Sequence, residues 1–433
     1  MRYFSTRNKN KLVSFKEAVM EGLASDGGLF MPEEIPSFPN SFIENLESIS
    51  FEEIGFETAK KFAGDEISDE KLREIISKSL FFPAPVVELD ESIGILELFH
   101  GPTLAFKDFG AQFMARTMGY FVQGSEKELN ILVATSGDTG SAVANGFYEV
   151  EGINVFILYP SGKVSAIQEK QLTTLGKNIT ALEIQGTFDD CQDLVKKAFV
   201  DRALNEKLNL SSANSINIAR LIPQSFYYIN AFKQVAKKNK KVVVSVPSGN
   251  LGNITAGLMA HKMGLPVDMF IAATNSNDVF TNYLSSGKYE PRKSVQTYSN
   301  AMDVGNPSNF ERIQNIYGVV EAMNKEIFSV SHNDESTVDG IKEVFEKYNY
   351  IIDPHGSVGY LALKKFLSNH DKKEYFGIGV ETAHPAKFKD IIESTLGKEI
   401  EIPERLKECI NREKKSSVLD NKFDTLKNFL LSL

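Results

Sequence analysis

From about residue 90 onward the chain repeats one pattern: a short apolar run, a turn rich in glycine or hydroxyls, then a helical stretch. Residues 130–135 form the first clear run, followed by Ser136-Gly137-Asp138-Thr139-Gly140 and a helix predicted over 141–148. Residues 153–159, 241–246, 267–273 and 375–380 are further runs, and the run 241–246 is followed by Pro247-Ser248-Gly249-Asn250-Leu251-Gly252-Asn253 and a helix over 254–263. Continuous apolar runs, rather than alternating ones, predict strands covered on both faces. Alternation with helices therefore predicts parallel sheet with helices on either side. In such sheets ligands settle where strands end and helices begin.

The two ends of the chain read differently. The first ninety residues are turn-rich and then helical. Ser14-Phe15-Lys16-Glu17 has the form of a capping box, and Ser25-Asp26-Gly27-Gly28 breaks the helix it opens. Phe81-Phe82-Pro83-Ala84-Pro85 is the best boundary, because two close prolines stop a preceding helix. The tail is polar and reads as helical, with Leu419, Phe423, Leu426, Phe429 and Leu430 on one face. The expected organisation is an N-terminal domain over 1–90, a core over 91–390 and a helical tail over 391–433 packing on that core. A smaller subdomain of the core is expected at roughly 107–175.

Composition narrows the class. At 433 residues the chain suits two or three domains. A formal net charge of −9 argues against a nucleic-acid binder, which would need a basic face. The 2 cysteines, Cys191 and Cys409, form no Cys-x-x-Cys pair, so neither a disulfide framework nor a thiolate metal site is expected. The histidines show no metal-binding spacing. No apolar stretch approaches the roughly 18 residues of a membrane span, and the N-terminus lacks a secretory pattern. A cytoplasmic, soluble protein is expected.

Four stretches carry candidate chemistry. In His100-Gly101-Pro102-Thr103-Leu104-Ala105-Phe106-Lys107-Asp108-Phe109 a single lysine lies among bulky apolar residues at an apparent helix start. A lysine that attacks a carbonyl must be partly neutral, and both desolvation and a helix N-terminus lower its pKa. A lysine snorkelling at a helix start would look the same. Ser248 to Asn253 would let backbone N–H groups converge on an anion, although many glycine turns between strand and helix are only structural. Thr135-Ser136-Gly137-Asp138-Thr139-Gly140 suits a carboxylate through hydroxyls and N–H groups, or is a capping turn. Glu381-Thr382-Ala383-His384-Pro385-Ala386-Lys387 places a threonine hydroxyl at a strand end. Asp189 and Asp190 read as helix capping.

Taken in order, these stretches resemble threonine synthase of the long bacterial and fungal form. Ser5-Thr6-Arg7, residues 22–29, Asn300-Ala301-Met302-Asp303-Val304 and Asp353-Pro354-His355-Gly356 complete the series. The resemblance implies a tryptophan-synthase-like fold (fold type II) and the cofactor pyridoxal phosphate bound to Lys107. It implies cofactor binding by Ser248, Gly249, Asn250, Leu251, Gly252, Asn253 and Thr382. It implies a substrate-carboxylate loop of Thr135, Ser136, Gly137, Asp138 and Thr139. Lys163, Ser215, Asn217 and Arg220 are candidates for the substrate phosphate, each with an ordinary structural role as the alternative. The family's loop often has an aromatic where Leu251 stands and an acid where Asn253 stands. The implied reaction is O-phospho-L-homoserine and water to L-threonine and phosphate. Alternatives are a phospholyase of the same fold, releasing 2-oxobutyrate and ammonia, and a non-catalytic phosphate-ligand sensor. No metal, nucleic-acid or membrane partner is expected, and monomer and homodimer are equally consistent.

Overall fold

The structure is a computed structural model that describes residues 1–432. Among these described residues there are three sheets. The first is antiparallel: β1 (Tyr3–Ser5) lies between β2 (Asn8–Val13) and β3 (Phe30–Pro32). The sequence reading missed these strands because they are short and β2 is largely exposed. The capping box is present: Ser14 accepts from Glu17 N–H while the Glu17 carboxylate accepts from Ser14 N–H.

The remaining strands are β4 (Val86–Glu88), β5 (Ile93–Glu97), β6 (Leu129–Ala134), β7 (Ile153–Pro160), β8 (Ile179–Gln185), β9 (Asn209–Ser212), β10 (Lys241–Pro247), β11 (Val267–Thr274), β12 (Ile327–Ser331), β13 (Tyr375–Glu381) and β14 (Ser417–Asp420). Six form one sheet in the order β12-β11-β10-β13-β5-β4, parallel except for the β4–β5 hairpin. Five form a wholly parallel sheet in the order β14-β8-β7-β6-β9. All five strands read from the sequence are present within a residue or two.

Two expectations need correction. The smaller sheet runs on through β8 and β9 to Ser212, well past residue 175. The tail is not wholly helical, because Ser417–Asp420 adds a parallel strand to β8, with Leu419 paired to Ile184. Leu426 and Leu430 of the following helix are buried against Leu182, Ile184 and Leu194, so the tail completes this layer.

One large apolar cluster joins the N-terminal domain, the helices Lys107–Val122 and Ile218–Val235, and one face of the six-stranded sheet. The other face packs on Asp334–Tyr348 and Pro354–Ser368. Among the described residues no helix is long and apolar enough to cross a membrane.

Candidate active site

The four chemistry-bearing stretches leave the carboxyl ends of β5, β13, β10 and β6. Between β5 and Lys107 the chain makes a turn in which Leu104 has a φ of 58°. A non-glycine residue in the left-handed region is strained, so its surroundings must hold it there. Here they do: Phe106 N–H donates to Thr382 O at 2.9 Å and His384 N–H donates to Leu104 O at 3.0 Å. An isolated bridge joins Ala105 to Ala383. The start of the lysine helix is thus fastened to the segment carrying Thr382. Asp108 locks the turn from the other side, accepting from Thr103 N–H at 2.8 Å and Thr103 Oγ1 at 2.7 Å.

Lys107 opens the helix Lys107–Val122, and its side chain is 15% exposed. Its Nζ lies 3.7 Å from Asp138 Oδ2. The other oxygen of Asp138 is held by Lys387 Nζ at 2.6 Å and by Gln168 Nε2 at 2.8 Å. Lys387 has no exposed side-chain surface and also donates to Thr103 O at 2.9 Å. Burial lowers the Lys107 pKa; Asp138 opposes this, while the charges of Lys387 and Arg220 add to it. Burial pushes the Asp138 carboxyl upward, but Lys387 and Lys107 outweigh it and hold the group well below the usual range.

The turn after β10 differs from an ordinary cap. Leu251, buried, has a φ of 60° and begins the helix Gly252–Lys262 with no side-chain cap. Among the described residues, the N–H groups of Gly249, Asn250, Leu251, Gly252 and Asn253 have no protein acceptor. Five free donors around a helix N-terminus suit a phosphate. Asn250 is fixed by Nδ2 donating to Ser215 Oγ at 2.6 Å, and its carbonyl accepts from Asn309 Nδ2 at 3.0 Å. Asn309 Oδ1 in turn accepts from the buried Arg312 at 2.8 Å. Among the described residues Arg312 has no carboxylate partner, and burial lowers its pKa to about 9. The loop is therefore a set of unused donors backed by an unpaired cation, which fits the phosphate of pyridoxal phosphate. Thr382, at the end of β13, has a hydroxyl with no hydrogen-bond partner among the described residues, available for a ring nitrogen.

Several sequence candidates have other work. Ser248 closes its strand, with N–H donating to Ala273 O and Oγ to Val246 O. Thr135 Oγ1 accepts from Gly137 N–H and Gly140 N–H, so its hydroxyl shapes the turn. Asp138 carries the wrong charge to hold a carboxylate with its side chain; among the described residues the N–H groups of Ser136, Asp138 and Thr139 have no protein acceptor and remain for that role, together with the Ser136 and Thr139 hydroxyls. Gly137 has a φ of 143°, a backbone conformation that strains any side chain, and a Cβ there would also press on the end of Gln168 at 2.6 Å. Asn217 caps its helix and donates to Val19 O and Ser212 O. Lys163 is exposed, and its charge acts on Asp190. Asp190 does cap a helix, in a box with Thr187. Arg220 is buried against Gly110, its Nε without a partner. Lys387, Gln168, Asn309 and Arg312 carry no local signal of their own along the chain, although Lys387 lies in the stretch Glu381 to Lys387. Among the described residues no group of three or more His, Cys, Asp or Glu is placed to hold a metal ion.

Comparison with known proteins identifies the family. Residues 82–376 match the family described as pyridoxal-phosphate dependent enzyme. Residues 2–80 match threonine synthase N terminus, and residues 356–430 match threonine synthase, C-terminal. The chain is a pyridoxal-phosphate-dependent enzyme of the tryptophan-synthase-like fold. A threonine synthase of Buchnera aphidicola (subsp. Schizaphis graminum) is 44% identical, with 100% of each chain covered. The crystal structure of threonine synthase from Escherichia coli superposes with a TM-score of 0.93 at 42% identity, covering 100% of both chains. The pyridoxal-phosphate-bound threonine synthase of Brucella melitensis gives 0.93 at 35% identity, covering 99% of this chain and 98% of that one. The chain belongs to the threonine synthase family.

Proposed function

We propose that this enzyme converts O-phospho-L-homoserine and water to L-threonine and phosphate, with Lys107 as the residue that holds pyridoxal phosphate. The observation that carries the reading is the largely buried Lys107 amine, its pKa lowered by desolvation, beside a segment that bears a free threonine hydroxyl. The N–H groups of Gly249 to Asn253 hold the cofactor phosphate, and Thr382 Oγ1 meets the ring nitrogen. When bound, the cofactor supplies an electron sink for charge at the substrate α-carbon.

The chain's own residues do the rest. Substrate binding frees Lys107 Nζ, which takes the proton from the α-carbon and then one from the β-carbon. One amine can serve repeated proton transfers only with a pKa near neutrality, which burial favours. The N–H groups of Ser136, Asp138 and Thr139 bind the substrate carboxylate. Ser215, fixed beside the cofactor loop by Asn250, is the best-placed sequence candidate for the substrate phosphate. Arg220 contributes charge from behind the lysine helix. The enzyme acts in the cytoplasm on this small metabolite, consistent with two free cysteines.

Borohydride reduction of the loaded enzyme, followed by peptide mapping, should place the adduct on Lys107. Lys107→Ala should stay folded and lose nearly all release of phosphate and threonine. An adduct on another residue, or 2-oxobutyrate formed without threonine, overturns the assignment.

A further inference from the structure

Two lysines share one buried carboxylate. Asp138 Oδ1 takes Lys387 at 2.6 Å, while Oδ2 faces Lys107 at the longer distance of 3.7 Å. Side-chain exposure is 0% for Lys387 and 4% for Asp138, so bulk water screens neither. Lys387 is held from a second side by Thr103 O, in the turn that leads into the Lys107 helix. Gln168 fixes the same carboxylate oxygen.

The charges facing Lys107 come from three further elements. Asp138 belongs to the helix Asp138–Phe147, Lys387 to the short helix Pro385–Phe388, and Arg220 to the helix Ile218–Val235. The Phe106 ring lies 4.7 Å from Lys107 Nζ, and Asp108 is turned away onto Thr103. Asp138 alone would favour an ammonium on Lys107 and bind it as an ion pair. An ammonium has no lone pair for a carbonyl carbon. Lys387 already neutralises that carboxylate and adds a like charge of its own.

We propose that Lys387 is a positioning residue for Lys107: by occupying Asp138 it prevents that carboxylate from retaining the Lys107 proton, and so leaves the amine free to react with the cofactor aldehyde. This rests on Lys107 being the cofactor lysine. Asp138 and Lys387 then stay as a neutral pair when Lys107 gives up its charge. The proton passes to solvent, and water leaves as the carbon–nitrogen double bond forms.

The test is pH-dependent competitive acetylation of the full-length chain freed of cofactor, with the Lys107 peptide quantified by mass spectrometry. Lys387→Gln keeps a donor for Asp138 and Thr103 but removes the charge. It should raise the Lys107 labelling midpoint, cutting labelling at neutral pH about tenfold, the effect of roughly one pH unit. Lys387→Met should act in the same direction, and Lys387→Arg should label as wild type. If the methionine variant fails to fold, the glutamine variant decides. An unchanged midpoint in Lys387→Gln, or an equal shift in Lys387→Arg, overturns the proposal and leaves Lys387 a structural tie. Borohydride mapping of the wild type is independent of this result, so a misassigned cofactor lysine would be told apart from a failed coupling.

Discussion

Two nitrogens of Arg312, Nε and Nη2, donate to the single carbonyl oxygen of Phe30 at 3.2 and 3.0 Å. The same guanidinium reaches Ile216 O at 2.7 Å and Asn309 Oδ1 at 2.8 Å. One buried side chain thus ties the N-terminal sheet to the loop expected to hold the cofactor phosphate. Arg312→Met would strand buried carbonyl groups. It should destabilise the protein by about 3–5 kcal/mol. Affinity for pyridoxal phosphate should fall more than affinity for pyridoxal, which lacks the phosphate. Denaturant unfolding and paired binding titrations check both outcomes.

Gly249 has no room for a side chain. A Cβ there would lie 2.7 Å from Met302 Cα and 2.9 Å from Ala301 O, both backbone atoms. Gly249→Ala should displace the loop rather than a neighbouring side chain. Cofactor affinity should drop at least about tenfold, which amounts to roughly 1.4 kcal/mol. Absorbance titration of the variant with pyridoxal phosphate measures this.

Acid stability should report on His384. Burial lowers its pKa from 6.5 to about 4. Between those values the unfolded chain binds more protons than the folded one, so stability rises with pH. The contribution is complete above about pH 6.5 and is lost as pH falls toward 4. Asp108, pushed up to about 6 by burial, has the opposite trend, losing stability as pH rises from 3.8 through 6. A comparison between variants cancels that background. His384 Nδ1 accepts from Ala386 N–H, a cap that asparagine can replace. His384→Asn should therefore lose less melting temperature than wild type between pH 7.5 and about 4.5.

The tail helix should stabilise the smaller sheet measurably. Leu430 is fully buried in the cluster with Leu182, Leu194 and Leu204. Leu430→Ala should cost about 2–4 kcal/mol, through lost burial and the cavity left behind. Chemical denaturation followed by circular dichroism checks the size of the effect.

The legible parts of the fold were those with a hydrophobic signal of their own. β6, β10 and β13 are buried along nearly their whole length, so they read as continuous apolar runs. β8 interleaves Thr180 and Glu183 with its apolar residues, and β14 is half-exposed Ser-Val-Leu-Asp. β8 buries Ile179, Ala181, Leu182 and Ile184, and only its interleaved polar residues hide it, whereas main-chain pairing to β8 sets β14, a neighbour that a linear reading cannot see. The site divides in the same way. Its loops were visible as glycine turns after strands, but not which donors the turns themselves use, as at Thr135, Ser248 and Asn217. Lys387 and Asp138 meet only in three dimensions, so nothing local announces the pair.

The placing of β13 bears on how the protein comes off the ribosome. Among the described residues β5 finds its only parallel partner in residues 375–381, and β10 has the same strand on one flank. An early piece of the nascent chain must therefore wait for a late one. At translation speeds of about 5–20 residues per second that delay is on the order of tens of seconds. During this time apolar strand edges stand open to chance encounters. Folding should therefore be slow for its size, and in a crowded cell the newborn enzyme would lean on chaperones.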